Sequence, residues 1–305
     1  MKQYLGIISS IIYALAIRII AEFDIIEINS LAFLIVAPTV LGFIPFFFRN
    51  DKFYNSIWKA IFFPLISILI FLLIAVATRI EDIFCLAIIG FPYVFISILV
   101  SIGLYFYLKK QDNGISKNTM SILLLPILVG SIEKEFPKKS SEYIISENII
   151  INSNLDSVYN NLLEVPDLSE TSSSGISNYL GIPRPKFSTY DYEFNIRKGY
   201  FENGIVLYET VKYSKTNSKL VFNIDVDKSE LANSPTLNHV LTSKGIEFDN
   251  VTYKLSKIDS NKTKLTLSTK FNINSNLPFY GRYWSKLIIT DFETNILRSL
   301  KAKIE

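Results

Sequence analysis

Few side chains in this 305-residue chain are suited to acid–base, nucleophilic or metal chemistry. It has one cysteine, Cys85, inside an apolar run, and one histidine, His239, in a loop or short strand where it faces solvent. A disulfide framework within one chain and zinc sites built on cysteines are thereby excluded. A Ser-His-Asp triad and a histidine-rich metal centre have little to draw on. No glycine-rich phosphate cradle or nucleophile elbow is present, so neither a cofactor nor a metal is expected. The acid–base candidate is Glu209, in "IVLYETVKYS". Strand alternation puts it on one side with Leu207 and Val211, where desolvation would raise its pKa as general acids and bases require. Three other outcomes stay open: an ion pair with Arg197, an ion pair with Arg184, or an edge position in water. Arg184 stands between Pro183 and Pro185 on a stiff loop, suited either to a carboxylate or phosphate head group or to a loop-fixing salt bridge. Asp291, one position before Phe292, either caps a buried stripe or accepts from Tyr208.

Those residues all lie in the second half of a chain whose two halves differ in kind. Mean hydropathy is +0.29 overall, but the long apolar runs precede Leu108 and the alternating polar sequence follows Ser131. Net charge is +3, with 31 basic residues dispersed among 28 acids. Nucleic-acid binding needs a clustered basic face, so no nucleic-acid partner is expected. Four segments, 4–21, 31–48, 57–78 and 83–108, are long and apolar enough to cross a bilayer about 30 Å thick. The first follows Lys2, lacks a small-residue cleavage signal, and reads as a retained anchor. Its Arg18 either snorkels to the interface or faces the bundle. Pro38, Pro45, Pro64, Pro92 and Gly90 fall within the spans as packing kinks, and the helices read as an anchor or scaffold.

Loop charges orient the spans, because Lys and Arg near segment ends stay on the cytoplasmic side. "EFDIIEIN" is acidic, "RNDKFYN" carries Arg49 and Lys52 with Lys59 nearby, and Lys109, Lys110 and Lys117 follow the fourth segment. Arg79 dissents. The balance puts both termini inside and everything after Leu108 in the cytoplasm of a bacterial-type cell. "TMSILLLPILVGSIEKEFP", 119–137, has an apolar core of about a dozen residues interrupted by Pro126, too short to span, and is expected to be interfacial or re-entrant. The division is a four-helix transmembrane domain at 1–110, a linker with this short apolar segment at 111–141, and a soluble domain at 142–305.

In that domain the hydrophobic period changes to two. "EYIISENIII" makes a first strand, and Asn154 caps a helix whose Leu155, Val158, Tyr159, Leu162 and Leu163 share a face. "DLSETSSSGISNYLG" is open between a short helix and a loop. "DYEFNIRKGYF" joins "IVLYETVKYS" through Glu202-Asn203-Gly204, a hairpin signal. "KLVFNIDVD" puts Leu220, Phe222, Ile224 and Val226 on one side, and "NHVLTSKG" reads as a shorter strand. "EFDNVTYKLSKI" and "TKLTLSTKFNIN" form a further hairpin, with Val251, Tyr253 and Leu255 facing the same way as Leu265, Leu267 and Phe271. The last segment repeats Trp284, Leu287, Ile288, Phe292, Ile296 and Leu300 at helical spacing. This helix is the one element long enough to cover a sheet of about seven antiparallel strands.

The order strand, one or two helices, six strands, long helix resembles the START-like superfamily, whose members are labelled polyketide cyclase/dehydrase and lipid transport proteins. The resemblance covers 142–305. It rests on the capped helix entering at Val158-Tyr159, on "LGIPRP" (180–185), on "YETV" (208–211) and on "TKLTLST". It implies an α+β helix-grip fold with a curved antiparallel sheet, a long C-terminal helix, and a cavity between them for an apolar ligand. The expected lining is Leu207, Phe222, Tyr253, Phe271, Trp284 and Ile288, with Arg184, Arg197, Tyr208, Glu209 and Asp291 as polar contacts. The expected function is a protein of the cell (inner) membrane whose cytoplasmic domain binds a lipid or other hydrophobic small molecule, with the bilayer and that molecule as partners. Two alternatives stand beside it: a cyclase-type enzyme with Glu209 as base, and a sensor or assembly protein with a filled pocket.

Overall fold

A computed structural model describes residues 2–23, 25–28, 30–48, 56–110, 117–136, 138, 140–243 and 245–305. The loop carrying Arg49 and Lys52, and the first six residues of the expected linker, lie outside the described residues. The chain divides into two compact units, Met1–Lys138 and Lys139–Glu305.

The first unit is helical. Three helices are long and apolar enough to cross a membrane: α1 (Lys2–Glu22), α3 (Ile57–Ala77) and α4 (Ile83–Lys110). The second of the four expected spans is instead a shorter apolar helix, α2 (Ala32–Phe47), whose first five residues form a π turn. Its start is set by Glu133, whose carboxylate accepts from the backbone N–H groups of Leu31 (2.9 Å) and Ala32 (3.1 Å), the ordinary way to satisfy a helix N-terminus. α2 packs between α1 and α4, and Ala32, Phe33, Ala37 and Val40 are fully buried. Gly42 allows that approach, since a Cβ there would stand 2.7 Å from the Ser97 carbonyl oxygen. By contrast Ile8 and Ile12 of α1, Leu69 and Leu73 of α3, and Phe91, Phe95 and Leu99 of α4 are exposed. Rows of large apolar side chains left uncovered suit a lipid environment and not water.

Arg18 faces the bundle. It is 5% exposed and donates to Glu81, to Glu22 (2.6 Å) and to the Ile80 carbonyl (3.3 Å). The stretch expected at the interface is a 3₁₀ helix, Lys117–Leu124, running into α5 (Leu125–Lys134). Pro126 sits at the α-helix start, where its missing N–H is tolerated, and α5 packs against the π turn of α2.

The second unit is a seven-stranded antiparallel sheet in the order β1-β7-β6-β5-β4-β3-β2. Its strands are β1 (Ser140–Ile151), β2 (Pro185–Asp191), β3 (Ile196–Phe201), β4 (Val206–Lys215), β5 (Lys219–Glu230), β6 (Ile246–Asp259) and β7 (Lys262–Asn274). α6 (Leu155–Leu163) follows β1, with Asn154 accepting from the Ser157 N–H at 2.9 Å as its cap. The open stretch after it contains one short helix, α7 (Ile176–Tyr179). α9 (Pro278–Ile304) packs chiefly on β1 and β7.

Two assignments along the sheet need correction. "DYEFNIRKGYF" is not one strand, because Tyr192–Asn195 form a turn with Asn195 at φ 53°, and "PKFSTYD" before it is β2. "NHVLTSKG" is not a strand, because Ser234 accepts from the Leu237 N–H (3.2 Å) and Pro235 stands at the first helical turn, so the chain forms α8 (Pro235–Thr242), a standard N-terminal signature. His239 is exposed on that helix. The β3–β4 turn uses Asn203 and Gly204 in the left-handed region, at φ 60° and 73°, as the Asn-Gly pair predicts.

β5 and β6 pair only over Lys219–Phe222 with Val251–Lys254. Beyond Phe222, β5 follows β4 as far as Glu230, while the start of β6 follows β7. Register shifts at Val206/Tyr208 and Phe248/Asn250 accompany the parting; bulges of this kind bend strands. The sheet therefore opens between β5 and β6 on one side of Phe222.

Candidate functional site

The interior of the second unit is two apolar clusters with a polar seam between them. One cluster joins Ile151, Val158, Tyr159, Leu162, Leu220, Phe222, Tyr253, Leu255, Leu265 and Leu267 to Leu297 and Leu300 of α9. The other joins Phe201, Ile205, Leu207, Leu231 and Leu237, with Ile224, Val226, Leu241 and Phe292 packed against them. On β4, Leu207 belongs to the second cluster and Val211 packs on the first; Glu209 lies between. On α9, Phe292 and Leu297 divide the same way, and Glu293 lies between.

Arg197 on β3 is register-paired with Glu209 on β4. The two are 7% and 5% exposed and form an ion pair. Arg197 Nε also donates to the Leu163 carbonyl at 3.2 Å, and the guanidinium lies 5.2 Å from the Phe222 ring centroid. Burial works against the Arg197 charge, but Glu209 beside it more than compensates and raises the guanidinium above its ordinary value. Burial pushes the Glu209 carboxyl upward, with Arg197 pulling the other way. Two charges removed from water are tolerated when paired and hydrogen-bonded in this way. Tyr253, 3% exposed beside Phe222, is pushed up to about 12 by burial; Arg197 opposes that shift, and Glu209 and Glu293 add to it.

Glu293 was not among the residues expected from sequence. It is 1% exposed, Oε1 accepts from the Thr269 hydroxyl at 2.7 Å, and Oε2 is buried with no hydrogen-bond partner among the described residues. Burial raises its pKa to about 8, against the hydrogen bond from Thr269. Burial of this kind favours the protonated form of a carboxyl over the charged one. The signal for it lay in the helix itself, where Ile289, Glu293 and Leu297 form an i, i+4 row on the face that meets the sheet.

The other expected residues are placed as follows. Leu207, Phe222, Phe271 and Ile288 are buried in the sheet–helix interior. Trp284 is half-buried in the second turn of α9, with its ring edge-on to Tyr283 and Tyr280. Tyr208 is not in the interior, since strand alternation turns it to the other face, where Lys198 Nζ lies 5.0 Å from its ring. Arg184 fixes its loop, donating to Glu202 from Nε (2.9 Å) and to the Ser172 carbonyl (3.3 Å). Asp291 does not meet Tyr208; it accepts from the Ser177 N–H (2.9 Å) and hydroxyl (2.6 Å) and so fastens α7 to α9. Among the described residues no cluster of three or more His, Cys, Asp or Glu side chains could hold a metal.

The seam is closed toward the β5–β6 opening by α8. Its Leu237 and Leu241 pack with Ile224 and Val226 of β5 and Phe292 of α9. α8 thus lays its apolar side on the part of the interior where β5 and β6 part, beside the few buried polar groups of the seam.

A seven-stranded antiparallel sheet in this order, with capped α6 after the first strand and a long terminal helix packed on it, is the helix-grip arrangement expected from the sequence. Among solved structures, the chain is similar to a START superfamily protein from Mycobacterium smegmatis (8% identity, 53% of this chain and 96% of that one, TM-score 0.36). It is similar also to the Zhui aromatase/cyclase from Streptomyces sp. R1128 (7% identity, 54% and 94%, TM-score 0.35). A third is norcoclaurine synthase from Thalictrum flavum in complex with dopamine and hydroxybenzaldehyde (11% identity, 54% and 87%, TM-score 0.36). The strand order and the helix, not these superpositions, define the class. No protein-family model and no curated protein matches the sequence.

Proposed function

We propose that this is a membrane-anchored protein whose START-like unit takes a lipid or other hydrophobic small molecule into the seam between sheet and α9. The carrying observation is the parting of β5 from β6 over that seam, closed by apolar side chains of α8 instead of by a continued hydrogen-bond ladder. A main-chain ladder is not broken by exchanging Leu237 and Leu241 for the chain of a ligand, and the two clusters supply apolar walls. Transfer from water into such walls is worth about 25 cal/mol per Å² of apolar surface. Anchoring keeps the unit at high local concentration beside its lipid source. Glu209 as the base of a cyclase-type reaction is less well supported, because its carboxylate is already engaged by Arg197.

Native mass spectrometry of the detergent-solubilised whole chain after incubation with a total lipid extract tests this. The expected result is a retained apolar adduct that disappears in Leu207→Trp, which fills the seam from β4. A wild-type chain that carries no adduct, or an adduct indifferent to Leu207→Trp in a folded variant, rules the reading out.

A further inference from the structure

We infer that residues 117–134 are a further crossing of the membrane, so that the chain that follows, with the START-like unit, lies outside the cytoplasm. This goes beyond the binding reading and is independent of it.

The helical unit has two distinguishable ends. At one, Phe46 at the end of α2, Ala60 near the start of α3, and Tyr105 and Leu108 at the end of α4 form a single cluster. At the other, Arg18 near the end of α1 is bound to Glu81, ahead of α4, and to the Ile80 carbonyl after α3. Each of α1, α2, α3 and α4 thus runs from one end to the other, and α4 delivers the chain at Lys110 to the end marked by Phe46.

From there the chain does not stay at that end. The Tyr13 hydroxyl, midway along α1, donates to the Leu123 carbonyl at 3.0 Å. In 3₁₀ geometry that carbonyl would receive the N–H three residues on, which is Pro126 and has none. A side chain from a neighbouring helix repairs the gap, as a segment within lipid requires. Seven residues later Gly130 meets α2 at its opposite end; a Cβ there would lie 3.0 Å from Ile26 Cγ1 and 3.4 Å from Ala32 Cβ. Glu133 then caps the start of α2, and Lys138 pairs with Glu27 in the α1–α2 loop. The chain therefore leaves this unit at the Arg18–Glu81 end.

Length agrees. Eight residues of 3₁₀ helix and ten of α-helix rise about 31 Å, against a hydrocarbon core of about 30 Å. Counting only the apolar residues, at α-helical rise, underestimates this reach. Leu124, Leu128 and Ile132 are more than half exposed on the outward side of the segment, as lipid-facing residues would be. With α2 counted, shorter than the three long helices but running between the same two ends, there are five traverses and the two termini are on opposite sides. The charge rule still puts Lys2, Arg49, Lys52, Lys59, Lys109 and Lys110 in the cytoplasm, so residues from Lys139 onward follow on the other side. The expectation of a cytoplasmic domain depended on an interfacial 119–137.

Substituted cysteines read the topology directly. The unmodified chain, whose one cysteine Cys85 is buried, is the blank. In intact spheroplasts of an expression host, a membrane-impermeant maleimide should label Ser260→Cys, in the exposed β6–β7 turn, and should label Lys110→Cys only after lysis. Both sites labelled only after lysis, or both before it, overturns the crossing. If either variant is poorly produced, alkaline phosphatase fused after Glu305 should be active and the same reporter fused after Lys110 inactive; the reverse pattern also overturns it. A cytoplasmic unit that still retained an apolar adduct would refute this topology and leave the binding reading intact.

Discussion

Arg197 and Glu209 occupy the same seam as Glu293 but answer different questions. The pair is neutral as a unit and saturated by the Leu163 carbonyl and the Phe222 ring, so its contribution is tested by breaking it. Arg197→Met leaves an unpaired buried carboxylate and should lower stability by about 3–5 kcal/mol at neutral pH. Arg197→Met with Glu209→Leu should recover most of that loss. Urea unfolding followed by circular dichroism of the sheet checks both. Glu293 gives a pH signature instead. Its folded pKa of about 8 lies above the unfolded carboxylate value. The stability this group allows is therefore complete below the unfolded pKa and is lost as pH rises through about 8. Glu293→Gln, which keeps an oxygen for the Thr269 hydroxyl, should abolish the dependence. It should match the wild type near pH 4.5 and exceed it by roughly 3–5 kcal/mol at pH 8.5. A wild type whose stability is flat between those values contradicts the buried acid. The ion pair was legible from strand alternation as one of several outcomes for Glu209. Glu293 is not, because a helix stripe defined by apolar side chains does not distinguish a carboxylate on the same face from one in water.

Among the elements, α7 shows how a loop of small polar residues becomes fixed. Ser177 is fully buried, and its N–H and hydroxyl both donate to Asp291 of α9. Gly175 stands so close that a Cβ would fall 2.2 Å from Asn295 Nδ2 and 2.3 Å from Asp291 Oδ2. Gly175→Ala must displace one of those groups and should cost on the order of 2 kcal/mol. Hydrogen exchange at the Ser177 amide should accelerate accordingly, while amides in the middle of β7 stay protected. No periodicity announces this contact, since it joins residues more than a hundred positions apart through polar atoms. Of the strands that read well, β1 and β7 alternate over twelve or more residues, and β5 carries Leu220, Phe222, Ile224 and Val226 at every second position. β2 was missed because Tyr190, Tyr192 and Phe194 continue its alternation across a turn that only Asn195 marks. α8 reads as a strand in the sequence because eight residues are too few to separate the two periods; its Ser-Pro start is the better guide.

For the whole molecule, the break between the two halves is plain from hydropathy, whereas the packing of 117–134 against α1 and α2 is not. A 3₁₀ segment lengthens a helix without adding apolar residues, and the Tyr13–Leu123 and Glu133–α2 contacts that hold it are long-range. The second unit should in turn be separable. Its two apolar clusters and polar seam draw every member from residues after Ile149, and its seven strands pair only with one another. A protein beginning at Ser140 should therefore be produced without detergent and elute as a single species. It should melt cooperatively within about 3 °C of the corresponding transition in the full chain, a shift equivalent to about 1 kcal/mol. An aggregated product, or a fragment with no cooperative transition, would mean that the sheet depends on the membrane unit for its fold and that the two are one structural body.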